Sequence, residues 1–354
     1  MPSEPTLGGL LQSQGVSRRA FLKFCSATAS LMALPGGMAT AMAEALASAR
    51  RPSVIWLSFQ ECTGCTEALT RSHAPTIENL LFNFISLDYH HTLQAAAGDA
   101  AERALEEAMH ANKGKYLVLV DGSIPLKEYC STVAGHSNKE SLEHVCADAA
   151  AVINIGTCSA YGGIPMAKPN PTNAVATGDI IKDKPIVNVP GCPPMPLAIT
   201  GVIAQYLTMG KLPELDHLGR PVAFFGENIH DRCYRRPFYD RGEFAETFDD
   251  EGARKGWCLY KLGCKAPIAY NACAHVKWNN GVSFPIQSGH GCIGCSEPRF
   301  WDMGGVYDSV AKGNFGDGPR LGAAAIAGAA AGASAAYLAR RKKTQIAEET
   351  HSSE

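Results

Sequence analysis

The chain carries 13 cysteines in 354 residues, too many for an ordinary enzyme of this size and too sparse for a small disulfide scaffold. Their positions follow a pattern. Cys62 and Cys65 form a C-x-x-C pair soon after the apolar run Val54-Ile55-Trp56-Leu57. Cys158 follows Val152-Ile153-Asn154-Ile155 within Gly156-Thr157-Cys158, and Cys192 follows Ile186-Val187-Asn188-Val189 within Pro190-Gly191-Cys192. Apolar runs this short read as buried parallel strands. The carboxyl edge of such strands is where open α/β sheets hold ligands. Four thiolates converging on one edge point to metal or redox chemistry.

A second set of donors lies downstream: His230, Cys233, Cys258, Cys264, Cys273, Cys292 and Cys295. Residues 212–301 have little sustained periodicity and many Gly, Pro and aromatic residues. So long a stretch of irregular chain struggles to fold on a core of its own, and bound inorganic clusters would supply the missing cross-links. Structural zinc takes four Cys or His ligands, whereas iron–sulfur clusters take Cys thiolates and occasionally His. Seven donors fit tetrahedral zinc awkwardly. They suit one four-iron cluster with four ligands and one three-iron cluster with three. Spacing alone does not say which thiols share a site, and an exported zinc-binding interaction protein stays open as the alternative. Cys130 and Cys146 sit in no ligand motif and read as buried or idle thiols. His90, His91, His136 and His144 read as core or surface histidines, and His290 as a packing neighbour of Cys292. Arg232, Arg235, Arg236 and Arg241 cluster near His230, either as a salt-bridged loop or as a docking patch for an acceptor.

The elements that must position the first set alternate strand-like and helix-like segments, the pattern of a parallel sheet with helices on both faces. Strands are expected at 54–57, 82–87, 116–121, 152–155 and 186–189, and helices at 101–109 and 139–150. Five such strands predict a flavodoxin-like sheet. The first strand–helix turn holds Glu61-Cys62-Thr63-Gly64-Cys65 instead of a phosphate-binding glycine loop, so a nucleotide or flavin is not expected there. A net charge of -2 and a pI near 6.6 give no sign of a nucleic-acid partner.

The two ends speak to compartment. Ser17-Arg18-Arg19-Ala20-Phe21-Leu22-Lys23 opens an apolar region followed by Ala-x-Ala sites between 39 and 49, the order of a twin-arginine export signal. Cys25 would leave with it. Residues 321–339 carry no charge, close to the about 20 residues that span a bilayer. Gly328 and Gly332 offer a close-packing face. Arg340, Arg341, Lys342 and Lys343 follow, which puts that end in the cytoplasm and the folded body outside. The expected organisation is therefore a signal peptide at 1–49, a flavodoxin-like domain at 50–211, an irregular cluster domain at 212–312, and a linker with a C-terminal transmembrane helix at 313–343.

The ordered motifs ECTGCTEAL, VDGSIP, IGTCSAYGG, VPGCPP, IHDRCYRRPFYDRGEFA, GWCLYKLGCKAP and SFPIQSGHGCIGCSEPRFWD resemble the small, electron-transferring subunit of membrane-bound nickel–iron hydrogenases along the whole chain. The resemblance implies a proximal 4Fe-4S cluster on Cys62, Cys65, Cys158 and Cys192, and a distal 4Fe-4S cluster on His230, Cys233, Cys258 and Cys264. It implies a medial 3Fe-4S cluster on Cys273, Cys292 and Cys295, with Pro285 where a fourth thiol would otherwise stand. The active site would lie in a partner, the hydrogenase large subunit that holds the nickel–iron centre, and this chain would contribute no catalytic residue of its own. Electrons from hydrogen would leave through a membrane cytochrome b or another quinone-linked subunit, on the periplasmic side of the cytoplasmic membrane. Glu61 and Thr63 flank the proximal ligands and would hydrogen-bond the cluster or relay protons. Oxygen-tolerant members that are otherwise similar place two extra cysteines at positions matching Gly64 and Gly163. Both are glycine here, so a standard proximal cubane and an oxygen-sensitive enzyme are expected; hydrogen uptake that persists in air would contradict this.

Overall fold

The structure is a computed structural model that describes residues 51–308 apart from 74, 128 and 129, together with 310 and isolated positions between 22 and 40. In chain order its layered half contains β1 (Ser53–Ser58), α1 (Gly64–Thr70), β2 (Ser86–His90), α2 (Asp99–Ala111), β3 (Leu117–Asp121), α3 (Asn138–Cys146), β4 (Ala151–Ile155), α4 (Thr157–Tyr161), β5 (Ile186–Val189) and α5 (Pro196–Met209). The five strands form one parallel sheet in the order β2-β1-β3-β4-β5, which is the flavodoxin-like order.

The central strands read as continuous apolar runs because both of their faces are covered. Every residue of β3 and β4 is buried. Alternate side chains divide between two layers. Val54, Trp56, Leu117, Leu119, Ile153, Ile155, Val187 and Val189 face α1 and α5. Ile55, Leu57, Val118, Val120 and Val152 face α2 and α3. α5 is apolar nearly all round, with Ala198, Ile199, Val202, Ile203 and Ala204 buried. α3 starts on a capping box in which Ser137 and Glu140 exchange side-chain and backbone hydrogen bonds.

One expected element is corrected. The strand expected at 82–87 begins only at Ser86, because Leu80–Phe84 is a π-helical turn. β2 is one of the two sheet edges and bonds only to β1, starting with the Ser86 N–H to the Pro52 carbonyl at 2.9 Å. Its sequence is accordingly mixed, and Asp88 accepts hydrogen bonds from Ser53 and Ser86. The apolar signal at Leu80, Phe84 and Ile85 comes from a turn packed onto the core. α3 is also shorter than 139–150, since the chain turns at Ala147 and Ala149 to enter β4.

Residues 212–308 contain only short helical turns and isolated bridges. They have no separate core: Phe224, Phe225, Ile229, Leu259, Ala269, Phe284 and Ile286 belong to the same apolar cluster as the α1/α5 face of the sheet. Cys25 is buried in that cluster too. The chain divides into units Met1–Lys312 and Gly313–Glu354. The expected anchor at 321–339 lies outside the described residues, as does nearly all of the expected signal at 1–49. No helix among the described residues is long and apolar enough to cross a membrane.

Ile153 is wholly buried at the centre of the sheet. Ile153→Ala should cost about 2–5 kcal/mol through lost burial and the cavity left behind, read as a lower thermal denaturation midpoint by circular dichroism; an unchanged midpoint would contradict this packing.

Candidate metal centres

The carboxyl ends of β1, β4 and β5 deliver the first four thiols to one edge. Cys62 is exposed on the loop after β1, Cys65 is buried in the first turn of α1, Cys158 is half-buried in α4, and Cys192 is half-buried after β5. Burial raises the Cys65 thiol well above its ordinary value, and Asp121, Cys158 and Cys192 add to it. Burial with Cys192, Asp121 and Cys62 nearby pushes Cys158 up to about 12. Burial with Cys295, Cys62 and Asp121 pushes Cys192 up to about 11. Cys65, Cys158 and Cys192 thus lie near one another, with Cys62 near Cys158 and Cys192.

The other donors form two further groups. Burial raises Cys233 and pushes Cys258 to about 11, and each is raised further by Cys264. His230 opens the turn that carries Cys233, with the Cys233 N–H donating to the His230 carbonyl at 3.2 Å. Burial and the neighbouring Arg236 lower the His230 imidazole, which leaves its ring nitrogen neutral and able to act as a ligand. Tyr239 stands edge-on to that ring at 4.5 Å and in turn meets Phe244 and Tyr260. In the last group, burial raises Cys273, Cys292 and Cys295, with Cys295 acting on both of the others. Pro285 is exposed, and its carbonyl accepts from the His290 N–H.

Two contacts arrange the groups in a row. Cys192 of the first group lies close enough to Cys295 of the third for each to act on the other's thiol. On the other side the Cys292 N–H donates to Cys264 Sγ at 3.3 Å.

The donor set fits iron–sulfur clusters. Thiols buried beside one another cannot all ionise in an empty site, whereas metal coordination deprotonates them outright. Ten Cys and one His are the donor types that such clusters take. Glycine keeps the first cradle open. A Cβ on Gly156, whose φ is +92°, would sit 2.5 Å from Cys65 Sγ, and one on Gly163 would sit 2.4 Å from Cys158 Sγ.

Several functional neighbours carry no sequence signal strong enough to find them. Asp121 ends β3 fully buried, its carboxylate oxygens without a hydrogen-bond partner of the ordinary kind. Burial pushes its carboxyl up to about 7, against the contrary pull of the Cys65 thiol. An acid closing the run Leu117-Val118-Leu119-Val120 was its only visible mark. Arg220, buried behind the third group, pairs with Asp216 at 2.7 Å and Glu297 at 3.0 Å. Glu297 also accepts from the Tyr270 N–H at 2.6 Å, which pins the chain two residues past Cys295. Removing one partner of so buried a pair costs about 3–5 kcal/mol.

The remaining candidates take ordinary roles. Arg232 pairs with Glu227, Arg236 with Asp231 and Asp240, and Arg241 with Glu243, while Arg235 is buried against the Trp257 carbonyl. The cluster is a salt-bridged loop. His90 is buried beside Trp56 and Thr66, His91 bonds Ser58, His144 meets Glu106, and exposed His136 sits in a short hairpin. His290 stacks on Phe248. Cys130 is exposed and Cys146 buried in the α2/α3 layer. Thr63 donates to Glu61 at 3.3 Å, and burial raises the Glu61 carboxyl.

Residues 62–206 match the family model described as NADH ubiquinone oxidoreductase, 20 Kd subunit, and residues 225–307 match the model for the C-terminal part of the NiFe/NiFeSe hydrogenase small subunit. The uptake hydrogenase small subunit of Azotobacter vinelandii is 50% identical over 341 residues, covering 94% of this chain and 95% of that one. Its counterpart from Rhizobium leguminosarum bv. viciae is 48% identical, covering 97% and 98%. Among solved structures, the H2-activated [NiFeSe]-hydrogenase of Dm. baculatum superimposes with a TM-score of 0.69 at 37% identity, over 74% of this chain and 100% of that one. A fold, a row of thiol groups and near full-length likeness agree: the chain belongs to the small-subunit family of nickel–iron hydrogenases.

Proposed function

We propose that this chain is the electron-relay subunit of an uptake nickel–iron hydrogenase, holding three iron–sulfur clusters between a large subunit and a membrane acceptor. The observation that carries the reading is the row of three donor groups, joined at Cys192–Cys295 and at Cys292–Cys264. In it Cys62, Cys65, Cys158 and Cys192 hold a proximal 4Fe-4S cluster, Cys273, Cys292 and Cys295 a medial 3Fe-4S cluster, and His230, Cys233, Cys258 and Cys264 a distal 4Fe-4S cluster. Bound there, the clusters would supply one-electron carriers whose potentials follow from charge, hydrogen bonding and burial.

The chain's own residues do the positioning. Exposed Cys62 turns the proximal group toward the surface where a large subunit docks. Tyr239, Phe244 and Tyr260 shield the His230 side from water. Backbone N–H groups of Arg235 and Gly294 donate to Cys233 Sγ at 3.4 Å and Cys292 Sγ at 3.3 Å, favouring the more negative form of each sulfur. Gly64 and Gly163 add no further thiol beside the proximal group, which supports a standard cubane there. In the heterodimer, Cys192→Ala should abolish a four-iron paramagnetic signal while leaving the three-iron signal, and Cys292→Ala should do the reverse. Identical losses in both variants would contradict the ligand grouping.

The export signal and the apolar stretch at 321–339 support a body on the periplasmic side of the membrane, anchored by its C-terminal helix, with a cytochrome b or other quinone-linked subunit as acceptor. Alkaline carbonate extraction should leave the full chain in the membrane pellet and release a form ending at residue 312. Release of the full chain would contradict anchoring.

A further inference from the structure

The loops that carry the proximal and medial donors meet at one buried hydroxyl. Thr157 stands between Gly156 and Cys158 at the start of α4 and is 1% exposed. Its Oγ1 accepts the Gly191 N–H at 2.9 Å and donates to the Cys295 carbonyl at 2.5 Å. The Thr157 N–H also donates to the Gly191 carbonyl at 2.9 Å. One side chain therefore ties together the segment before Cys158, the segment before Cys192 and the backbone of Cys295, which lies 138 residues away in sequence. This tie lies beside the approach of Cys192 to Cys295.

We propose that Thr157 is the positioning residue that fixes the gap between the proximal and medial clusters, through the chain Gly191 N–H to Thr157 Oγ1 to Cys295 carbonyl. The inference rests on the ligand grouping above and adds a role that the grouping does not require. Its chemical argument is one of satisfaction. A threonine hydroxyl has one proton to give and lone pairs to accept with, and both capacities are used between two separate loops. Valine keeps the shape and removes the link, leaving a buried N–H and a buried carbonyl to seek other partners. The medial loop is then held on this side by the Arg220–Glu297 pair behind it, so the fold persists while the gap is no longer fixed.

The test uses the assembled heterodimer. In Thr157→Val, iron and sulfide contents and the individual proximal and medial resonances should match the unaltered protein. The magnetic splitting between those two clusters in the reduced protein should be lost or reduced, and medial reduction by hydrogen slowed. Thr157→Ser, which restores the hydroxyl, should recover both. If the valine variant does not accumulate, Thr157→Ala carries the same comparison. Full splitting in the valine or alanine variant, or a serine variant no better than valine, would overturn the proposal. Failure of the ligand grouping looks different: the unaltered protein would itself lack separate proximal and medial resonances, and the inference would fall with it.

Discussion

Buried sulfur is the constraint from which the rest of this structure follows. Nine of the thiols lie in three groups where burial opposes their ionisation. Such an arrangement is unfavourable unless positive charge enters with the sulfurs. The sheet, the glycines and the buried ion pair bring side chains from distant parts of the chain to places where iron can provide that charge. The irregular half depends on this most. It has short turns and shares its apolar cluster with the sheet.

The row of groups gives the fold its purpose. A parallel sheet offers one edge where strand after strand ends, and β1, β4 and β5 use it to gather the first group. The second and third groups need no sheet, because short turns around His230, Cys258 and Cys273 can each present a donor at low cost in backbone order. Where the second and third groups approach each other, the Cys292 N–H donates to Cys264 Sγ at 3.3 Å.

Much of the layered half was legible in the sequence. The runs at 54–57 and 152–155 are apolar because both faces of those strands are buried, while at 186–189 Val187 and Val189 carry the buried face. The run at 82–87 misled because an edge strand is half-wet, while the apolar residues before it pack a π-helical turn onto the core. Asp121, Thr157 and the Arg220–Glu297 pair were not legible. The roles of Thr157 and the Arg220–Glu297 pair arise from contacts between segments 138 or 77 residues apart, and no local spacing encodes such a meeting. The grouping of the seven downstream donors came from likeness to a family, since irregular chain carries no period from which to read it.

Metal content tests the central claim most directly. Quantifying iron, acid-labile sulfide and zinc on the purified heterodimer, after allowance for the single iron of the partner's nickel–iron centre, should give about eleven iron and a matching amount of sulfide for this chain, with negligible zinc. Stoichiometric zinc with no labile sulfide would contradict the account.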